Sequence, residues 1–166
     1  NGLALGTQPE KKPRNSKKNF RLQKGDDLLG PNAPQYGGKS VTITASFNSK
    51  GADGVIVAQG GDKQGYALYI RNGMLVLGVR DNWKLTEAVV GEPLNSGITQ
   101  VTATISANGK MQLLVNDKIA ATADAKCVLA QPGDGLQVGD DKIKPVGDYT
   151  TKTFSGTISE LRLQLK

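Results

Sequence analysis

The sequence predicts an all-β protein: two antiparallel sheets packed face to face with jelly-roll connections. Three observations carry that expectation. Gly is abundant, with 21 residues among 166, while aromatics make up 5%, which suits many strands and turns better than a helical bundle. Lys39–Asn48 (KSVTITASFN) alternates with period two, placing Val41, Ile43, Ala45 and Phe47 on one face and Ser40, Thr42, Thr44 and Ser46 on the other. Asn72-Gly73 and Asn108-Gly109 each sit between strand-like runs, the strongest short hairpin signal because both turn residues must accept positive φ. Roughly ten to twelve strands at hairpin spacing follow, and no segment reads as an amphipathic helix. A closed barrel around an interior cavity is the competing arrangement.

Residues 1–17 combine Gly, Pro, Lys and Asn without periodicity and read as a flexible basic linker, leaving 18–166 for the sandwich. Asn19–Gln23 alternates as a half-buried strand. Gly25–Gly38, with two prolines and four glycines, reads as a loop that wraps an edge. After Lys39–Asn48, Gly54–Arg80 holds three apolar runs separated by GGDKQG and Asn72-Gly73, a three-strand meander. Asp81-Asn82-Trp83 turns into a strand over Lys84–Val90. Ile98–Ala107 and Lys110–Asn116 flank the second Asn-Gly pair, and Asn116-Asp117 turns into Lys118–Ala123. Ala125–Pro132 fits a short helical turn or an irregular bulge. Gly135–Gly139 is a short strand, and Asp140–Thr151 a loop before closing strands at Phe154–Gly156 and Thr157–Leu165. The last of these directs Ile158, Leu161, Leu163 and Leu165 inward, with a bulge near Ser159-Glu160.

Composition excludes several functions. With no histidine, Ser-His and Cys-His catalysis and His-ligated zinc are ruled out for this chain. The single cysteine, Cys127, has no internal disulfide partner and precedes Val128-Leu129-Ala130, as expected of a half-buried structural thiol. The net charge of +6 is local. The first 24 residues hold seven of the 21 basic residues and one of the 15 acidic ones, which leaves 14 of each beyond them. Basicity confined to an arm, without aromatic-bearing RNA-binding strands or zinc fingers, does not point to nucleic acid. No apolar run approaches the roughly 20 residues of a membrane helix. The chain begins at Asn1 without Met or a leader, as expected after processing or excision. The Gly60–Gly65 loop lacks a following helix and a Gly-Lys-Ser/Thr end, so it is no phosphate cradle.

GVIVAQGGDKQGYALYIRNGML (from Gly54) resembles a segment of the C-terminal accessory domains of bacterial arylsulfatases. Asp134–Asp141, Val146–Tyr149 and Phe154–Ile158 resemble the ending of the same domains, and Ala33-Pro34 with Val41–Ala45 the stretch before the meander. The resemblance spans roughly 18–166 and implies a concanavalin A-like, laminin G-like sandwich behind a sulfatase catalytic domain. It implies a non-catalytic accessory role, packing on that domain and contacting a polysaccharide or sulfated glycan, and a periplasmic or secreted location. An independent carbohydrate- or protein-binding laminin G-like module is the alternative. Cys127-Val128-Leu129-Ala130-Gln131 does not fit the C-x-P-S-R motif, so the family's catalytic residues cannot be carried over.

Two groups of residues are candidate sites. Trp83, with Asn82, Arg80 and Lys84 beside it, combines an apolar platform with polar groups for a sugar ring. The competing reading has Trp83 plugging a sheet edge. Tyr36, Tyr66, Tyr69 and Tyr149 are the other rings, but Tyr66 and Tyr69, three apart, face opposite sides of a strand. Asp140, Asp141 and Asp148, with Asp134 nearby, lie on turns as carboxylates around a Ca²⁺ ion would, and such sandwiches often carry a metal at a rim. Asp also favours turns for its own hydrogen bonds, and Lys142 and Lys144 oppose a cation, so no cofactor is expected. Glu87, Glu92 and Glu160 are isolated and form no glucanase-type Glu-x-Asp-x-Glu motif, so catalysis is not expected.

Overall fold

The computed structural model describes residues 13–166; most of the arm, with Lys11 and Lys12, lies outside the described residues. Among the described residues twelve strands form two six-stranded antiparallel sheets, a jelly-roll β-sandwich. The terminal sheet holds, in spatial order, β1 (Asn19–Leu22), β12 (Thr157–Leu165), β3 (Val41–Asn48), β8 (Ile98–Ile105), β9 (Lys110–Val115) and β10 (Lys118–Asp124). The meander sheet holds β2 (Asp27–Leu28), β11 (Leu136–Val138), β4 (Gly54–Gly60), β5 (Gly65–Arg71), β6 (Met74–Asp81) and β7 (Lys84–Val89).

Alternation decides which side chains meet. Val41, Ile43, Ala45 and Phe47 of β3 point inward with Leu161, Leu163 and Leu165 of β12 and Val101, Ala103 and Ile105 of β8. Tyr66, Leu68, Ile70, Leu75, Leu77 and Val79 face them from the meander sheet. The core is apolar and edge-packed, with Phe47 on Phe154 at 6.1 Å and Tyr36 on Tyr66 at 5.1 Å between ring centroids. Its buried polar groups pair: Tyr66 Oη donates to Gln59 Oε1 (2.8 Å), and Gln59 Nε2 donates to Pro34 O (2.8 Å).

Except at Phe154–Gly156 the strands foreseen are present, and the last is bulged between Ile158 and Glu160. Three details differ. The Gly25–Gly38 stretch contains β2 and a 3₁₀ turn at Gly30–Asn32, since Leu28 finds a partner in Leu136. Phe154–Gly156 is not a strand: the Phe154 ring is pulled into the core, and Gly156 passes so close to Asn48 that a Cβ there would meet its carbonyl oxygen at 2.2 Å. Ala125–Pro132 takes the irregular one of its two expected forms, without a helical turn. The two Asn-Gly pairs build different turns. Asn72 (φ 54°) and Gly73 (φ 77°) both lie in the left-handed region, whereas at the second pair only Gly109 does (φ 94°). There Ser106 Oγ accepts from Lys110 N (2.9 Å) and shapes a longer, one-glycine loop.

Candidate functional site

The loop after β11 is a strap across the outer face of the meander sheet. Alternation, shifted by a bulge between Val55 and Val57, sends Val55, Ala58, Ala67, Tyr69 and Val76 outward, an apolar patch that Val146 and Tyr149 cover. Arg80 Nε donates to Val146 O (2.7 Å) and Arg71 Nη1 to Asp148 O (2.8 Å), fastening the strap at two points. Tyr69 packs edge-on against Tyr149 (4.8 Å) and donates its hydroxyl to Glu87, which also pairs with Arg71 (2.6 Å). Burial, and then the bond to Glu87, push the Tyr69 phenol well above its ordinary range.

The three aspartates do separate work here. Asp141, 5% exposed, accepts on Oδ2 from Val146 N (2.8 Å) and from the Tyr149 hydroxyl. Burial pushes its carboxyl up to about 6; Asp140 and Asp134 add to this, while the Val146 N–H and Lys152 oppose it. Asp140 accepts from Asp141 N (2.8 Å) and Thr153 Oγ1 (3.0 Å). Asp148 is exposed and contributes its carbonyl. Among the described residues no three His, Cys, Asp or Glu side chains come together as a metal-holding group.

Trp83 stands at the tip of the β6–β7 turn and is 59% exposed, so it does not plug an edge. Asn82 (φ 47°) and Trp83 (φ 71°) are both left-handed, a conformation that a bulky side chain resists. Trp83 N donates to Lys63 O (2.9 Å), and Arg80 Nη1 to Trp83 O (3.3 Å). Asn82 and Lys84 are exposed beside the ring, while the Arg80 guanidinium is turned toward the backbone of strap and turn. Tyr36, Tyr66 and Tyr69 are buried, on opposite faces of β5 for the last two, and offer no platform. Cys127 is a half-buried thiol pushed up by burial.

An extended concave surface lies elsewhere, on the outer face of the terminal sheet. Its register lines up Asn19, Gln164, Thr42, Thr104, Gln112 and Thr122 in one row across all six strands. The next row reads Arg21, Arg162, Thr44, Thr102, Leu114 and Ile119. Three depressions of about 750, 570 and 170 Å³ indent this face. The first two share Thr42, and the last two share Thr44 and Glu160, so they form one trough. Six strands at about 4.8 Å spacing give it a reach of roughly 24 Å. The sequence showed which β3 residues point outward, but β12, β1 and β8 join them through non-local pairing that no local motif records.

No protein-family model and no curated protein matches the chain. Solved structures do match in fold. Domains LG4–5 of the mouse laminin α1 chain superpose with a TM-score of 0.67 at 18% identity, over 90% of this chain and 43% of that one. The binding domain of botulinum neurotoxin DC in complex with SialylT gives 0.56 at 13% identity, over 88% and 43%. A botulinum neurotoxin type C structure, described by cell entry dependent on two ganglioside molecules, gives 0.55 at 14% identity, over 88% and 43%. The chain therefore spans less than half the length of these proteins. The fold is a laminin G-like β-sandwich, which corroborates the fold half of the sequence resemblance; its sulfatase half finds no counterpart among these structures.

Proposed function

We propose that the domain is a non-catalytic carbohydrate-binding module that lays a glycan chain across the outer face of the terminal sheet. The observation that carries this reading is the six-strand row Asn19–Gln164–Thr42–Thr104–Gln112–Thr122 lining a continuous trough. Hydroxyls and amides are donors and acceptors at once, so they can bond sugar hydroxyls of either polarity. They are held on rigid strands, which limits the entropy lost on binding. Two of the structural neighbours are described with ganglioside or SialylT, which supports a glycan ligand, and one with rat synaptotagmin II, so the neighbours alone do not separate a glycan from a protein. A catalytic reading finds little support. The carboxyl held up at about 6, Asp141, is buried under the strap on the opposite sheet, and Glu160 in the trough is paired with Arg162 (2.8 Å).

A glycan array with the full chain tests the reading. Thr104→Arg, which fills the middle of the trough, abolishes the wild-type signals while leaving the melting curve unchanged. Retention of every signal in Thr104→Arg refutes the proposal. Trp83→Ala serves as the second arm, because the exposed indole on a strained turn is a separate candidate for sugar stacking. Signals lost only in Trp83→Ala place the site at the β6–β7 tip.

The arylsulfatase resemblance supports a more specific setting, an accessory domain of an exported, periplasmic or secreted sulfatase-like enzyme. Of the residues that carry it, Gly54–Leu75 lies in the meander sheet, Asp134–Asp141 and Val146–Tyr149 in β11 and the strap, and Phe154–Ile158 runs into β12, while Ala33-Pro34 and Val41–Ala45 lie before the meander. A C-x-P-S-R motif encoded upstream of Asn1 supports that parentage, and a complete gene without any sulfatase-like region excludes it.

A further inference from the structure

We infer that Arg21 and Arg162 form an oxyanion clamp at one end of the trough, which gives the module a preference for glycans bearing sulfate esters or carboxylates. The inference rests on the trough being the glycan-binding face. Arg21 and Arg162 are direct cross-strand partners on β1 and β12, and both side chains point outward. Opposed residues hold their Cβ atoms about 5 Å apart, and like charges placed so are destabilising. An anion between the two guanidinium groups turns that repulsion into two charge-assisted contacts.

The surroundings fit an anion better than a neutral ligand. Glu160 lies 2.8 Å from Nε of Arg162 as an exposed ion pair, which leaves the two terminal guanidinium nitrogens without a partner among the described residues. Arg21 has no hydrogen bond from its guanidinium among the described residues. Lys17 lines the same 570 Å³ depression, its Nζ lying 5.0 Å from the centroid of the Phe20 ring. The depression thus counts three cations, Lys17, Arg21 and Arg162, against the single carboxylate of Glu160. Thr42 and Thr44 line it too and can donate to the same oxygens, and Thr42 continues into the larger depression, where one cation, Lys110, is matched by one carboxylate, Asp124. A chain lying along the trough would set its polar sugar faces on the Thr and Gln rows and an acidic substituent between the arginines.

The test titrates the full chain with dextran, dextran sulfate and carboxymethyl dextran, which share a backbone and differ in the oxyanion. Arg21→Gln and Arg162→Gln are each expected to weaken binding to an anionic polymer by about tenfold and to leave binding to dextran unchanged. Arg21→Lys should recover only part of the loss, because a point charge lacks the guanidinium fork. Loss confined to dextran sulfate assigns a sulfate ester, and loss confined to carboxymethyl dextran a carboxylate; loss on both supports the shared chemistry. The double variant Lys11→Ala/Lys12→Ala reports on the basic arm. A loss there as large as in the arginine variants overturns the clamp in favour of diffuse charge attraction. Weaker binding in Thr104→Arg with unchanged binding in Arg21→Gln and Arg162→Gln overturns the clamp alone. No effect of any of the three overturns both the clamp and the trough.

Discussion

Replacing Asp141 by Asn should flatten a pH dependence built into the strap. The Asp141 carboxyl is 5% exposed and is pushed up to about 6 in the fold, against about 3.9 for an unfolded aspartate. Two donors on Oδ2 favour the ionised form, but burial outweighs them. A folded-state pKa above the unfolded one means that the native protein binds this proton more tightly. Stability from this group is therefore fully present below about pH 4 and is lost as pH rises through about 6. The difference of about two units corresponds to at most roughly 3 kcal/mol. Asn can keep both donors on its oxygen and has no charge to desolvate. Urea unfolding of wild type and Asp141→Asn from about pH 4 to pH 8 isolates the effect, since other carboxylates cancel in the difference. The variant should gain on the wild type by up to about 3 kcal/mol across that range, with its advantage complete by about pH 8. A difference that stays constant with pH would refute the assignment of the buried proton to Asp141.

Other expectations follow from the same structure. Trp83→Gly should stabilise the domain by about 1 kcal/mol, a rise in Tm of roughly 2–4 °C, because Gly adopts the left-handed turn without strain. An unchanged or lowered Tm in calorimetry contradicts a strained tip. Phe154→Ala removes a fully buried ring that packs on Phe47 and should cost about 3–5 kcal/mol in urea unfolding. A cost below about 1 kcal/mol means that the ring is not part of the core. Calcium at millimolar concentration should leave Tm within about a degree of its value in EDTA, because Asp141 is already occupied by the strap's own donors. A rise of several degrees restores the metal reading of Asp140, Asp141 and Asp148.

What could be read in the sequence was whatever local chemistry determines. Alternation over Lys39–Asn48 assigned each side chain of β3 to its face, and the Asn72-Gly73 turn fixed the β5–β6 register. The bulge at Ser159-Glu160 was legible because Ile158 and Leu161 cannot both point inward without it. Phe154–Gly156 misled because an aromatic flanked by small residues looks like a strand, whereas its conformation is set by the distant Phe47 and Asn48. The strap shows the same limit. Arg80 and Asp141 carry the residue types of a binding site, yet their partners Val146 and Tyr149 are reached only when the loop folds back over the meander sheet. Trp83 was visible as one of five candidate rings and the only tryptophan, but neither its exposure nor its left-handed backbone was, since no glycine marks that turn. The trough was least legible. It depends on β1 lying beside β12, which joins Arg21 to Arg162 across almost the whole length of the chain.

The trough is tested most directly by mapping ligand-induced amide shifts by NMR, using an oligosaccharide of the best hit from the glycan array. The largest shifts should cluster on Asn19, Thr42, Thr104, Gln112 and Gln164, five positions that are scattered in sequence and contiguous only in the terminal sheet. Shifts confined to Asn82–Lys84, or to the strap around Asp141 and Tyr149, with the terminal sheet silent, would contradict the assignment of that face as the binding surface.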